Sequence, residues 1–240
     1  RHAITEKTCS ALWVVSHHTV QSGLLSLPTF IKICHEKDVP VIVDAASEYD
    51  LKIFIDMGVD VVLYSGHKFL SGPTSGIVAG KTELIKAAYM HQSNGIGRAM
   101  KAGKESVVGA IAALQRWENI DHRILHEQEY KSLKQIWKGL SKIRGLFLEE
   151  HADPTGNPIT RLKVSIDRTE SSLDIEELSK ALRHGNPPII VRDHFLNLGF
   201  FEIDPCNMKS GDPEVIVRRF HELQLLLLES PPKSSGLDMF

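Results

Sequence analysis

Val39-Pro-Val-Ile-Val-Asp-Ala-Ala46 and, further on, Val61-Val-Leu-Tyr-Ser-Gly-His-Lys68 are the stretches that decide the fold. Each is a short apolar run rich in β-branched residues that ends abruptly in polar ones, the pattern of a strand buried on both faces. Similar runs at 11–16 and 75–80 give four expected strands, at 11–16, 39–45, 59–65 and 75–80. Between the first three lie helical stretches. Ser26 to Lys37 carries Pro28 near its start, and Tyr49 to Met57 stops at Gly58. The alternation β-α-β-α-β points to an α/β layer around a parallel sheet. The fourth segment, Ser75 to Gly80, follows Lys68 across a short Gly/Pro loop with no room for a helix, so it is expected to run antiparallel.

Beyond the sheet, the sequence from Lys104 to Ile143 reads as long and helical. Ala110, Ala113, Leu114 and Trp117, then Ile124, Tyr130, Leu133, Ile136 and Trp137, recur at three- and four-residue spacing, as a helix bridging two domains would require. After Gly145 the pattern changes to a strand at 160–166, a helix from Leu173 to His184, strands near 188–193 and 198–203, and a helix from Pro213 to Leu228 with Asp212 as its expected N-cap. That is a small α+β domain with turns at Gly185-Asn-Pro-Pro188 and Asp204-Pro205.

Composition bounds the function. The chain of 240 residues is 42% hydrophobic and 24% charged, enough for a full core. Its net charge of -2 leaves no bulk basic footprint, so nucleic acid is not an expected partner. Cys9, Cys34 and Cys206 are odd in number and widely spaced, forming neither a zinc pattern nor a disulfide framework, and they read as reduced cytoplasmic thiols. No apolar run approaches the roughly 18 to 20 residues of a membrane span, and the longest cluster is Leu225 to Leu228. The sequence begins at Arg1 without methionine or a targeting segment, and an upstream portion is expected to lie outside it.

In an open parallel sheet, ligands sit outside the carboxyl ends of the strands. Asp44 and Lys68 occupy two such ends, so an acid and an amine address one crevice. Taken singly, Asp44 reads more simply as a helix cap and Lys68 as a solvated loop lysine. Taken together, they match what pyridoxal 5'-phosphate (PLP) requires, an amine to bind its aldehyde and a carboxylate to keep its pyridine nitrogen protonated. Ser65 and His67 flank the lysine, and Gly66, Gly72 and Gly76 permit the close backbone approach of a phosphate site. His122 and His126 stand at i, i+4 on the long helix, where a solvated face is the simpler reading than a metal pair.

Val-Asp-Ala-Ala46 and Ser-Gly-His-Lys-Phe-Leu-Ser-Gly-Pro-Thr-Ser-Gly76 resemble the cofactor region of fold-type-I PLP enzymes, most of all the selenocysteine-synthase-like group. Within it, Ser16-His-His-Thr-Val-Gln21, the Ser-Gly-His-Lys segment and Gly97-Arg-Ala-Met-Lys-Ala-Gly-Lys-Glu105 are most similar to the D-glucosaminate-6-phosphate ammonia-lyase branch. The small domain matches mainly through Gly185-Asn-Pro-Pro-Ile-Ile-Val-Arg192 and Asp204-Pro205.

The resemblance implies the aspartate-aminotransferase fold. Residues 1–103 would be the C-terminal part of the PLP-binding large domain, 104–145 an interdomain helical segment, 146–230 a small α+β domain, and 231–240 a tail. It implies PLP on Lys68, with Asp44 at the pyridinium nitrogen, Ser65 and His67 near the cofactor phosphate, and Ser16 and His17 near the ring. Arg192 would take a substrate carboxylate, which a guanidinium binds bidentately, and Arg98 with Lys101 a substrate phosphate.

The implied activity is α,β-elimination and deamination of a small amino acid or amino sugar acid such as D-glucosaminate 6-phosphate, in a homodimer or higher homo-oligomer. Alternatives are selenium transfer on seryl-tRNA, which the charge balance disfavours, and a truncated, non-catalytic module lacking the N-terminal half of the PLP site. Two other motifs fail on spacing. Gly76-Ile-Val-Ala-Gly-Lys-Thr82 is one residue short of a P-loop, and Gly95-Ile-Gly97 lacks the third glycine of a dinucleotide fingerprint.

Overall fold

The computed structural model describes residues 1–16 and 25–228. His17 and the 231–240 tail lie outside the described residues. The chain forms two compact units, Arg1–Ile120 and Asp121–Phe240.

The first unit is built on a four-stranded sheet, in order β1 (Ala11–Val14), β2 (Val41–Asp44), β3 (Val61–Ser65), β4 (Gly76–Gly80). The first three strands run parallel and β4 pairs antiparallel with β3, as the short loop after Lys68 dictates. Helix α1 (Leu27–His35) has Pro28 in its first turn and buries Ile31 and Cys34. Helix α2 is shorter than the Tyr49–Met57 stretch expected, spanning only Ile53–Asp56, because Asp50 ties the preceding loop by accepting from the backbone N–H groups of Lys52 (2.7 Å) and Ile53 (2.9 Å).

The expectation of strands buried on both faces holds for one side of this sheet. Trp13, Val41, Val43, Val62, Tyr64 and Ile77 pack with Ile31, Cys34 and Phe54 in a continuous core. The opposite face, in register, carries Leu12 and Val14, Ile42 and Asp44, Leu63 and Ser65, and Val78. Leu12 is 62% exposed, and Val14 and Val78 are each 43% exposed, so β1 and β4 are buried on one side only.

Sequence periodicity passed over helix α3 (Thr82–Asn94), which has no buried residue to mark it, and the 3-10 turn Ile96–Met100 that follows. The stretch 104–145, read as one interdomain segment, is divided between the units: α4 (Lys104–Asn119) belongs to the first and α5 (His122–Leu140) to the second. Asp121 separates them by accepting from the Ile124 N–H at 3.1 Å, which starts a new helix. Ala113 and Trp117 of α4 pack on Leu70, just beyond Lys68.

The second unit carries a three-stranded antiparallel sheet of β5 (Leu146–Ala152), β6 (Thr160–Ile166) and β7 (Phe200–Ile203). Its core joins Leu133, Ile136 and Leu140 of α5 to Leu162, Val164 and Phe201 of the sheet, together with α6 (Ile175–Arg183) and α7 (Asp212–Glu222). The last element among the described residues is α8 (Gln224–Leu228). The strand expected at 188–193 is reduced to one bridge, Arg192 to Glu202, because Pro187 and Pro188 offer no N–H to a ladder. The N-cap of α7 is Gly211, at φ +95°, rather than Asp212. Asp212 is the first helical residue, and its carboxylate accepts from the Lys209 N–H at 2.8 Å.

Candidate active site

The parallel register places Val14, Asp44 and Leu63 side by side at the carboxyl ends of β1, β2 and β3. Asp44 is half-buried, and its Oδ1 accepts from the Ala46 N–H at 3.1 Å, a tight turn immediately past the strand. Four backbone bonds fix this turn: Val15 N–H to Asp44 O (2.9 Å), Ala45 N–H to Leu63 O (2.9 Å), Glu48 N–H to Ala45 O (3.0 Å) and Ser65 N–H to Ala46 O (3.3 Å). The turn presents Ser47, whose Oγ accepts from Lys68 Nζ at 2.9 Å. The carboxylate strand end and the lysine loop are therefore joined through Ser47. Sequence reasoning missed this residue, because a lone serine 21 positions from its partner carries no periodic or motif signal.

Lys68 is exposed on a loop that closes on itself. Gly66 N–H bonds Ser75 O (2.9 Å), Ser71 N–H bonds Lys68 O (2.8 Å) and Gly72 N–H bonds Gly66 O (2.7 Å). A Cβ on Gly66 would stand 2.1 Å from Ser75 Oγ, and one on Gly72 would stand 2.8 Å from Ala113 Cβ and 2.9 Å from Gly66 O. Gly72 is required by close approach of the chain to itself, whereas at Gly66 the obstacle is the Ser75 hydroxyl, which would have to leave its bond to Pro73 O. A Cβ on Gly76 would meet nothing within 4 Å.

Within the loop, Ser65 Oγ and His67 Nδ1 lie 3.0 Å apart, and Ser65 shares the open sheet face with Asp44. Ser16, half-buried, follows β1 at the same end of the sheet. Asp44, Ser65, His67, Lys68 and Ser16 thus belong to one end of the first unit. They offer an amine, a carboxylate and hydroxyl and imidazole donors, a set suited to an aldehyde-bearing pyridine phosphate.

The remaining sequence candidates sit elsewhere. Arg98 is exposed in the 3-10 turn and donates through Nη1 to Ser93 O at 3.1 Å. Arg192 belongs to the second unit, where its Nε faces Glu202 at 3.4 Å and its Nη1 faces Asp204 at 3.6 Å. Asp204 is held more closely by buried Arg161, whose Nε donates to it at 2.7 Å and which also pairs with Asp153 at 2.5 Å. Burial alone would raise the Asp204 and Asp153 carboxyls. Their hydrogen bonds, Arg161 prominent among them, outweigh it and hold both below the usual carboxylate range. Burial pushes the Cys34 and Cys206 thiols up, so neither is a thiolate nucleophile at neutral pH. Among the described residues no cluster of His, Cys, Asp and Glu could hold a metal ion, and no helix is long and apolar enough to cross a membrane.

Comparison with known proteins places this geometry in context. The aminotransferase class-V family model matches residues 1–186. The chain is 37% identical over 221 residues to D-glucosaminate-6-phosphate ammonia lyase of Salmonella typhimurium, covering 92% of this chain and 58% of that protein. It is 34% identical over 224 residues to 5'-C-glycyluridine monooxygenase-decarboxylase of a Streptomyces species, covering 93% and 56%. A solved structure of D-glucosaminate-6-phosphate ammonia-lyase superposes with a TM-score of 0.75 at 35% identity, over 94% of this chain and 60% of that one. The chain therefore spans a little over half the length of the relatives it matches.

Proposed function

The chain belongs to the aminotransferase class-V family, and on that premise we propose that the protein it represents is a PLP-dependent lyase. Its proposed reaction is removal of ammonia from a small amino acid or amino sugar acid, with D-glucosaminate 6-phosphate as the first substrate to test. The observation that carries this reading is the joining of Lys68 to the Asp44 turn through Ser47 at 2.9 Å, an amine and a carboxylate at adjacent parallel strand ends. Lys68 would hold the cofactor's aldehyde, Asp44 its ring nitrogen, Ser65 and His67 its phosphate, and Ser16, with His17 outside the described residues, its ring. When bound, PLP supplies an electron sink for charge developing at the substrate's Cα.

The protein's own groups do the rest. The Lys68 amine, when free, would act as the general base that takes the proton from the substrate's Cα. Ser47 Oγ, already within hydrogen-bond reach of Nζ, holds the amine at the mouth of the strand ends in the meantime. Arg192 takes the substrate carboxylate through its planar fork of donors, and Arg98 the substrate phosphate. Loss of the β-hydroxyl as water and hydrolysis of the released product give a 2-keto acid and ammonia, which for the sugar acid is 2-keto-3-deoxygluconate 6-phosphate. The protein is proposed to act in the cytoplasm as a homodimer or higher homo-oligomer.

Release of ammonia and 2-keto acid from D-glucosaminate 6-phosphate, measured on the full-length protein, tests the reading. Equal release by K68A, or none by wild type that binds the cofactor, would remove it. The relative with a monooxygenase-decarboxylase name makes a second assay necessary, oxygen uptake with a glycyl nucleoside, where turnover would replace lyase chemistry.

A further inference from the structure

One face of the second unit's sheet is apolar core and the other is charged. By register, Glu149 and His151 of β5, Arg161 and Lys163 of β6, and Phe200 and Glu202 of β7 share the charged face. Glu202 has a side chain only 2% exposed, yet it is a carboxylate that the functional reading leaves without a role. A buried carboxylate persists only when its oxygens are well partnered. His151 Nδ1 donates to Oε1, and Arg192 Nε faces Oε2 at 3.4 Å. Arg192 and Glu202 also exchange both backbone bonds, at 2.9 and 3.0 Å, so the arginine's main chain is fixed to the same strand. The His151 ring is held edge-on by Phe195 and Phe200, which stack with centroids 5.0 Å apart.

Two carboxylates beside Arg192 would ordinarily neutralise it. Here both have closer partners. Asp204 lies 2.7 Å from Arg161 against 3.6 Å from Arg192, and Glu202 bonds His151 more closely than it bonds Arg192. Glu202 and Asp204 face only Nε and Nη1, and a guanidinium has five N–H donors, so donors remain for an incoming planar anion.

We propose that Glu202 is a positioning residue that sets the plane of the Arg192 guanidinium for a small carboxylate ligand, with His151 holding the far oxygen of Glu202 in place. This rests on the functional reading above in taking Arg192 as the residue for the substrate carboxylate.

The test is a titration of the full-length protein with acetate, read by NMR at the Arg192 Nε–H signal, with methylammonium as a control of similar size and opposite charge. Wild type is expected to show a saturable shift with acetate only, and R192K to lose it. E202Q removes the charge but keeps the shape. It is expected to bind acetate about tenfold more weakly, the scale of one charge-assisted hydrogen bond, and to raise KM for the amino acid substrate while kcat holds. H151N leaves the buried carboxylate intact and serves if E202Q does not fold, and a weakening of about threefold is expected from it.

Acetate affinity unchanged in E202Q, or in H151N where E202Q is not folded, would overturn the positioning role, as would the absence of saturation in wild type. The visible band formed with added PLP is expected to be the same in all three variants. Its absence in wild type would instead strike the functional reading and leave the acetate result standing.

Discussion

The two sheets of this protein place their polar groups in opposite ways. In the first unit, parallel strands are apolar along their length and turn polar only at their carboxyl ends, where Asp44, Ser65 and the Lys68 loop sit. In the second, antiparallel strands alternate, so that Arg161, Lys163 and Glu202 lie along one face with core residues on the other. Parallel strands carry apolar residues on both faces, even where one face is open as at Leu12 and Val14, and leave their ends for chemistry, whereas an antiparallel sheet can give a whole face to charge. Each unit also buries an ionic hub, and in the second unit that hub adjoins Arg192 through Asp204. In the second it is Arg161 between Asp153 and Asp204, and in the first it is Asp60.

The largest effect is expected at Arg161. R161A leaves two carboxylates without their shared cation and should cost about 3–5 kcal/mol. Hydrogen exchange should register the loss first in β5 to β7, and a loss confined to β1 to β4 would break the distinction between the hubs.

Asp60 comes next. Its side chain is 2% exposed and accepts from Val41 N–H (2.6 Å), Lys81 Nζ (2.6 Å) and His35 Nε2 (2.8 Å), joining the start of β2 to the end of β4. D60A should cost about 3 kcal/mol in denaturant unfolding, because it strands a buried N–H and removes a paired charge. Burial would raise the Asp60 carboxyl, but the bonds from Lys81, Val41 and His35 outweigh it and hold it low. A depressed carboxylate contributes stability above its unfolded pKa and loses that contribution as pH falls through the folded value. The Asp60 contribution should therefore start to fall as pH enters the ordinary carboxylate range and be fully lost only below it, and the same pH scan of D60N should show a smaller stability loss over that window.

Smaller effects are expected at the lysine loop. G72A forces a Cβ between Ala113 and the Gly66 carbonyl and should cost about 1–3 kcal/mol, with slower capture of PLP in a stopped-flow absorbance trace. S47A should change stability by less than about 1 kcal/mol, since it removes one exposed hydrogen bond, yet still slow cofactor capture, and S47T should restore the rate. Equal capture rates in S47A and wild type would reduce the Ser47 contact to a surface bond.

The same contrast explains how much of the molecule could be read in its sequence. Strands β2 and β3 announced themselves as unbroken Val and Ile runs, and the antiparallel turn of β4 followed from a loop too short for a helix. The Asp44 and Lys68 ends were legible for that reason, although their roles remain proposals. The second sheet was harder. Strand β5 was passed over because Glu149, Glu150 and His151 interrupt its apolar signal: alternation puts Glu149 and His151 outside the core, while Glu150, opposite Leu162, pairs with Tyr130 and Lys134 of α5. Helix α3 escaped because it buries nothing. Ser47 and the Glu202 contacts depend on partners brought together only by folding, at separations of 21 residues for Ser47, and 51 and 10 for Glu202.

The measurement that bears most directly on the central claim is borohydride reduction of the protein with added PLP, followed by peptide mass mapping of the modified lysine. The account expects a visible band in wild type, its loss on reduction, and the pyridoxyl group on Lys68, with no band in K68A. Modification of another lysine with the same band persisting in K68A would contradict it.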